Sequence, residues 1–295
     1  HESIVNQVDS IFNQDYKKFD LYIFDDSSET QFNIQSLNLK VSQKNKIKVF
    51  YRKENLGYAY NFLNGLKEIN NNYQYYCFCD QDDIWLPHKL SNSIREISKF
   101  DQTLPCLYGT RTKLVNCNST KEMGLSPLFK GPFNFKNALI QNFAGGNTMM
   151  MNFKAKELIS TSYFDRDIVS HDWWCYQIIS GAGGTIIYDK HPCLLYRQHE
   201  TNLVGSNKSI LSKIKRLIKV LKGDYKQWND INTKLLIKNE GLLSNTNKLI
   251  LRKFINARNS NNIFSKIYIF FDSGIFRQSF ISNIIFFIAF LLNKV

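Results

Sequence analysis

The sequence lacks the short motifs and long apolar runs that identify several common protein classes. It has no GxGxxG after a predicted strand and no GxxxxGK followed by Ser or Thr, so dinucleotide-binding and P-loop folds have little support. Its six cysteines form no CxxC pair and no regular framework, which predicts reduced thiols in a cytosolic protein. The most apolar segment, residues 280–292, is shorter than the roughly 20 residues that a membrane-spanning helix needs.

Charge is distributed unevenly along the 295 residues. Residues 1–200 contain 22 Lys or Arg and 21 Asp or Glu, whereas residues 201–295 contain 16 and 4. Within residues 208–222, apolar side chains at helical spacing alternate with five or more basic ones, which predicts a basic amphipathic helix. The last third therefore predicts an anionic partner. We favour a membrane surface over nucleic acid, because the aromatic-interleaved basic surface typical of single-strand binding is weak here.

Helices and strands are predicted to alternate through the first hundred residues. Apolar residues at helical spacing lie in residues 4–12, short apolar strands cover 21–24, 47–51 and 75–79, and helices follow from about residue 58 and residue 87. This order predicts an α/β fold in which these strands form a parallel sheet flanked by helices. A less regular, mixed region follows to about residue 200.

Acidic side chains follow two of the predicted strands. Asp25 and Asp26 end the first strand, and Asp80, Asp82 and Asp83 follow the third. Ligands of such sheets bind beyond the carboxyl ends of the strands, so we expect these acids to converge there. Crowded carboxylates are typical of a Mg²⁺ or Mn²⁺ site, and a solvated turn or a helix cap is the alternative.

Four segments, in order, resemble glycosyltransferase family 2 and in particular its rhamnosyltransferase-like members. They are "VDSIFNQDYKKFDLYIFDDSSET", "ENLGYAYNFLNGL", "CDQDDIWLPHKL" and "SHDWWCYQIISGAGGTIIYDKHPCLLYRQHETNLVG", and the resemblance covers about residues 3–205. It implies a GT-A fold and inverting transfer of a sugar, with rhamnose expected, from a UDP- or dTDP-linked donor. The implied acceptor is a glycan or a lipid-linked hydroxyl in bacterial surface glycan synthesis.

The resemblance also implies roles for individual residues. Asp172 matches the catalytic base, although a helix cap would also explain it. The donor nucleotide is assigned to Asp25, Asp26, Asn55, Gly57 and Asp80, and the divalent metal to Asp82 and His199. Candidate contacts to the acceptor or the donor sugar are Trp173, Trp174, Gly146, Arg197 and Asp83, and for the two tryptophans a core position is at least as well supported.

The expected organisation is a GT-A domain at residues 1–205 and a helical, membrane-associating tail at 206–295. The protein is expected on the cytoplasmic face of the membrane, bound peripherally. The family's first strand has no counterpart, which predicts an N-terminally truncated sequence. Two other hypotheses remain open: a non-catalytic module that binds a membrane or an anionic polymer through the tail, and an inactive remnant. Convergence of the acids in one cleft would favour the enzyme.

Overall fold

A computed structural model describes residues 2–117, 119–198 and 224–295. The helices are α1 (Glu2–Phe12), α2 (Val41–Lys44), α3 (Tyr58–Glu68), α4 (Lys89–Ile97), α5 (Phe135–Ala138), α6 (Phe153–Thr161), α7 (His171–Gly181), α8 (Asp224–Lys238), α9 (Asn245–Asn259), α10 (Ile263–Ser273) and α11 (Phe280–Leu291). The strands are β1 (Leu21–Asp25), β2 (Ile47–Tyr51), β3 (Tyr75–Cys77), β4 (Ile84–Trp85), β5 (Cys106–Thr110), β6 (Lys113–Asn116), β7 (Glu122–Leu125), β8 (Met150–Asn152), β9 (Thr185–Asp189) and β10 (Leu194–Gln198).

The predicted α/β fold is confirmed, with mixed sheets flanked by helices. β1 and β2 pair in parallel, a four-stranded sheet has the order β3-β8-β5-β9, and a second has the order β4-β10-β6-β7. Parallel and antiparallel pairs occur together, since β5 is parallel to β9 and antiparallel to β8. Of the first three strands, which were predicted to form a parallel sheet, β1 and β2 pair in parallel, whereas β3 pairs antiparallel with β8. The first strand is one residue longer than expected, because Asp25 still pairs with Tyr51 in the parallel register.

The main core surrounds α7, which is buried on nearly every face. Ten of its eleven residues are buried, and Asp172 in the first turn is the exception. Trp174 and Tyr176 from this helix share one apolar cluster with Leu235, Phe254 and Phe290 from the C-terminal helices. The described helices after residue 224 therefore pack onto the same core as the sheets. Residues 208–222, predicted as a basic helix, lie outside the described part.

One large cavity separates the edges of two strands. Among the described residues, β1 pairs only with β2 and β3 only with β8, and the unpaired edges of both line the cavity. Its volume, about 2500 Å³, exceeds the several hundred Å³ of an ordinary small-molecule pocket. The expectation of a missing strand stays a prediction.

No helix within the described ranges has the length and hydropathy that crossing a bilayer would require.

Candidate active site

The acids at the end of β1 are held by the chain itself. Asp25 is buried, and its carboxylate accepts hydrogen bonds from the Ser28 backbone N–H (2.9 Å), the Ser28 hydroxyl (2.6 Å) and the Phe32 N–H (2.9 Å). Burial alone would raise the pKa of Asp25, but these hydrogen bonds outweigh it and the pKa lies below its ordinary value. Asp25 is therefore an ionised carboxylate that organises the loop after β1.

Asp26 joins this loop to the one that precedes α3. Its carboxylate accepts the Leu56 N–H at 2.8 Å, and the Asn55 side chain donates to the Asp26 carbonyl at 3.2 Å. Asn55 also accepts the N–H of Gly57 at 3.0 Å. Gly57 has φ +80°, and a Cβ there would meet open space, so backbone conformation is the reason for glycine. Asn55 and Gly57 thus lie beside the β1 acids.

The acids that follow β3 have a different environment. Asp80 and Asp82 line the cavity. The pKa of Asp80 is raised to about 7, first by burial and then by the negative charges of Asp82 and Asp172. Negative charge is therefore concentrated at this end of β3.

Asp83, in contrast, faces the interior. It is 1% exposed, and one carboxylate oxygen accepts a hydrogen bond from the side chain of Asn147. The other oxygen has no hydrogen-bond partner within the part of the chain that the structure describes. Burial and then the charge of Asp80 raise the pKa of Asp83 well above its ordinary value. This position puts Asp83 behind the cavity wall, where a protonated carboxyl fits its surroundings.

Asp172 also lines this cavity, in the first turn of α7. Its carboxylate accepts the Gly146 N–H at 3.1 Å and the Trp173 N–H at 2.7 Å. These two backbone donors fix the carboxylate at the positive end of the helix, where an anion is favoured. Because the rest of α7 is buried, the helix holds this carboxylate at its first turn in a fixed position, which is what a base requires.

Tyr58 is a cavity residue that the sequence interpretation missed. Burial, followed by the charges of Asp172 and Asp80, raises the pKa of its hydroxyl to about 12. The tyrosine therefore lies near both acids and remains a protonated hydrogen-bond donor at neutral pH. Its place directly after the Asn55–Gly57 turn was the available signal, since the first turn of α3 faces the same loops.

The remaining predicted contacts are distributed between the cavity wall and the core. Trp173 lines the cavity, but its indole N–H donates to the Ala138 carbonyl at 2.6 Å. Trp174 is fully buried and donates to Ser162, so it packs in the core. Gly146 lines the cavity through its backbone, and the buried Arg197 donates to the carbonyl of Asp82 and to that of Ser3.

The structure describes only some of the predicted metal ligands. Residues 2–117, 119–198 and 224–295 contain no group of three His, Cys, Asp or Glu that could hold an ion. His199, the second predicted ligand, lies outside these residues. Asp80 and Asp82 remain as two neighbouring carboxylates, which is the number that Mg²⁺ often takes from protein when substrate phosphates complete its shell.

Comparisons with known proteins agree on family and fold. The profile described as "Glycosyl transferase family 2" matches residues 2–159. The chain is 28% identical to the dTDP-rhamnosyl transferase RfbG of Shigella flexneri over 222 residues, which are 72% of this chain and 74% of that protein.

The structural comparison concerns the fold alone. TarS 1–349 of S. aureus in complex with UDP-GlcNAc has a TM-score of 0.53 at 15% identity, covering 91% of this chain and 86% of that one. The longer TarS structure is matched over 45% of its own length. The likeness confirms the expected GT-A architecture.

Proposed function

Because the chain belongs to glycosyl transferase family 2, we propose that it moves a sugar, with inversion, from a nucleotide-diphosphate donor to an acceptor hydroxyl in bacterial surface glycan synthesis. One observation carries the proposal: Asp25, Asp26, Asn55, Asp80, Asp82 and Asp172 all line one cavity. A module that binds only through its tail has no need for this convergence. Rhamnose and a dTDP-linked donor are supported by the name of the Shigella relative, and a UDP-linked donor by the TarS complex.

The end of the cavity at β1 is the proposed site for the nucleoside. Asp26 and Asn55 hold two loops together there, and Gly57 leaves open space in front of α3. Amide and carboxylate groups at the carboxyl end of a strand suit a base and a ribose, which offer hydrogen-bond donors and acceptors.

Asp172 is the proposed base. Direct displacement at the anomeric carbon needs removal of a proton from the acceptor hydroxyl, and a positioned carboxylate can accept it. The two backbone N–H groups that bind Asp172 leave lone pairs on both oxygens for that proton. The Tyr58 hydroxyl, nearby, donates to the Val169 carbonyl at 3.2 Å and would accept a hydrogen bond from a hydroxyl of the donor sugar or the acceptor.

Asp82 is the proposed ligand of Mg²⁺ or Mn²⁺, together with His199, and Asp80 beside it is proposed to contact the donor nucleotide. The residues present fit a cation, because Asp80 and Asp82 are neighbouring carboxylates on one cavity wall, and burial followed by the charges of Asp82 and Asp172 raises the pKa of Asp80. A bound divalent cation would neutralise the charge that develops on the departing diphosphate. Arg197 contributes by holding the carbonyl of Asp82, which fixes the turn that carries both carboxylates.

The acceptor is proposed to be a glycan or a lipid-linked hydroxyl, reached at the cytoplasmic face of the membrane. The excess of basic residues after residue 200 supports attraction to anionic lipid. No nucleic-acid partner is proposed.

Calorimetric titration tests the donor site. The 295-residue protein is titrated with UDP and with dTDP, with and without Mn²⁺, and we expect metal-dependent binding of at least one nucleotide. Asp82→Asn should abolish the metal dependence without changing the circular dichroism spectrum. Asp167→Asn is the matched control, because Asp167 is exposed and does not line the main cavity. Absence of binding to either nucleotide, with or without metal, would refute the donor-site assignment.

A further inference from the structure

The last two helices expose an unusual number of large apolar side chains. Phe264 and Phe280 are each 79% exposed. The whole set comprises Ile263, Phe264, Tyr268, Phe271, Phe280, Ile281, Ile284, Ile288 and Leu292. Single exposed apolar residues are ordinary, but eight on two consecutive helices, with Leu292 directly after the second, mark an interaction surface.

These side chains form stripes. Phe264, Tyr268 and Phe271 stand at positions i, i+4 and i+7 of α10, and Ile281, Ile284 and Ile288 at i, i+3 and i+7 of α11. This spacing places each trio on one side of its helix.

The two stripes belong to one surface. The buried sides of the helices pack on each other through Phe270 and Phe290, whose rings are 4.8 Å apart. The ring of Phe271 lies 5.4 Å from that of Phe287 at the boundary between the helices. The stripes therefore lie side by side, and we call the nine exposed residues the α10–α11 face.

Helix length and charge identify what covers this face. α10 has 11 residues and α11 has 12, so neither can cross a bilayer, whereas an exposed apolar stripe on a helix suits a position in the plane of its interface. Residues 224–295 carry ten Lys or Arg and four Asp or Glu. An apolar face within a basic segment complements anionic lipid, whereas two copies brought together would add their positive charges.

The α10–α11 face also continues into the cavity that holds Asp172. Ile281 and Ile285 of α11 and Arg277 just before it line this cavity. The Arg277 side chain donates to the Ile140 carbonyl at 2.8 Å, which ties the start of α11 to the cavity wall. Ile281 is thus both an exposed member of the face and part of the cavity rim.

We propose that the α10–α11 face inserts into the interface of an anionic bilayer and places the cavity rim at Ile281 against the lipid. This proposal rests on the proposed function in one respect: it narrows the acceptor to a lipid-linked one, which would reach Asp172 along α11 without leaving the membrane surface.

Vesicle co-sedimentation of the 295-residue protein tests the surface. The vesicles are phosphatidylcholine with about a third phosphatidylglycerol. The double variant Phe264→Ser/Phe280→Ser should lower the partition coefficient at least about tenfold, because two fully inserted aromatic rings are lost. Val41→Ser is the control, since Val41 is 75% exposed but lies on α2, and it should bind as the wild type does.

Orientation is tested by fluorescence. Ile281→Trp should gain emission that lipids brominated on their acyl chains quench, and Val41→Trp should not, each measured as a difference from the four native tryptophans. Three results would overturn the proposal: wild-type protein that does not sediment with vesicles, a double variant that sediments unchanged, or a dimer in light scattering that the double variant dissociates.

Nucleotide titration in vesicle-free buffer separates this proposal from the proposed function. We expect the double variant to bind UDP or dTDP as the wild type does. Vesicle binding without nucleotide binding in the wild type would refute the donor site and with it the narrowing to a lipid-linked acceptor. Nucleotide binding without vesicle binding would refute the α10–α11 face alone.

Discussion

The two acidic strand ends look alike in sequence and differ in structure. At the end of β1, the Asp25 carboxylate accepts hydrogen bonds from Ser28 and Phe32, which follow closely in the chain, and the pKa of this carboxyl is lowered. After β3, burial and neighbouring acids raise the pKa of Asp80 to about 7. At the end of β1, hydrogen bonds from the protein stabilise the negative charge of Asp25. After β3, negative charge accumulates, and a bound cation would offset it.

The difference shows that acidic residues can either stabilise a loop or form a site for a cation. A carboxylate that accepts several backbone N–H groups stabilises a loop, and it does so without any ligand. Carboxylates that crowd a cavity destabilise the free protein and gain from binding a cation. The β1 acids therefore shape the nucleoside end of the proposed site, and the β3 acids are suited to its diphosphate end.

The largest expected effect concerns Asp172, the acid that belongs to neither strand end. Asp172→Asn should lower the rate of sugar transfer by about 10²–10⁴-fold, because the amide cannot take the hydroxyl proton. Nucleotide affinity, measured by calorimetry, should stay within about threefold, since Asp172 is not assigned to the donor nucleotide. A variant that keeps its transfer rate would remove Asp172 as the base, and one that loses nucleotide binding would move it to the donor site.

At β1, Asp25→Asn should destabilise the protein by about 1–3 kcal/mol, because the new NH₂ would face the backbone N–H of either Ser28 or Phe32. Urea unfolding at pH 7 measures this. The lowered pKa means that the carboxylate contributes stability above the ordinary value of 3.8, and that this contribution disappears as pH falls through the folded pKa. The variant should therefore lack this acid-dependent loss. Equal stability of the variant and the wild type would show that the β1 loop does not depend on the charge.

After β3, the same substitution should have the opposite sign. Asp80→Asn, measured in EDTA, should stabilise the protein by on the order of 1 kcal/mol at pH 8, because it removes one charge from a crowded, buried site. The folded pKa lies above the unfolded one, so the penalty in the wild type grows as pH rises from about 4 towards 7. In Mn²⁺ the variant should bind nucleotide more weakly than the wild type. Destabilisation in EDTA would mean that Asp80 is satisfied by the chain, and the comparison with β1 would fail.

Sequence patterns predicted the position of the first strands to within one or two residues, since β1 ends one residue later than expected and β3 two residues earlier, at Cys77. The orientation of side chains was predicted poorly. The strand at residues 21–24 could be predicted from its short apolar run, and the position of the acids after it from the rule that ligands bind beyond the carboxyl ends of strands. Helix α7 offered no such help, because it is buried on almost every side and its apolar pattern has no period. Whether Trp174 faces the cavity or the core is therefore decided by tertiary packing.

The sequence also did not indicate which aspartate of the acidic turn is buried. Asp82 and Asp83 are neighbours in sequence, yet one lines the cavity and the other is buried beside Asn147. Asn147 lies 64 residues further along the chain, so no local pattern could link the two. His199 and residues 208–222 fall outside the described residues, and their predicted roles stay predictions.

The smallest expected effect is the pH dependence at His171, next to the proposed base. Its ring is buried, stacks on Phe62 at 4.3 Å and meets Phe78 edge-on at 4.7 Å, and burial lowers the pKa of the imidazole below its ordinary 6.5. Since the unfolded chain binds a proton that the folded one excludes, stability should fall as pH drops below about 6.5. His171→Phe should flatten this slope in urea unfolding between pH 7 and pH 5, whatever its effect on stability at pH 7. If the pH dependence of stability persists in the variant, it arises from other groups. Burial would then affect the protonation of His171, next to Asp172, less than that of Asp80.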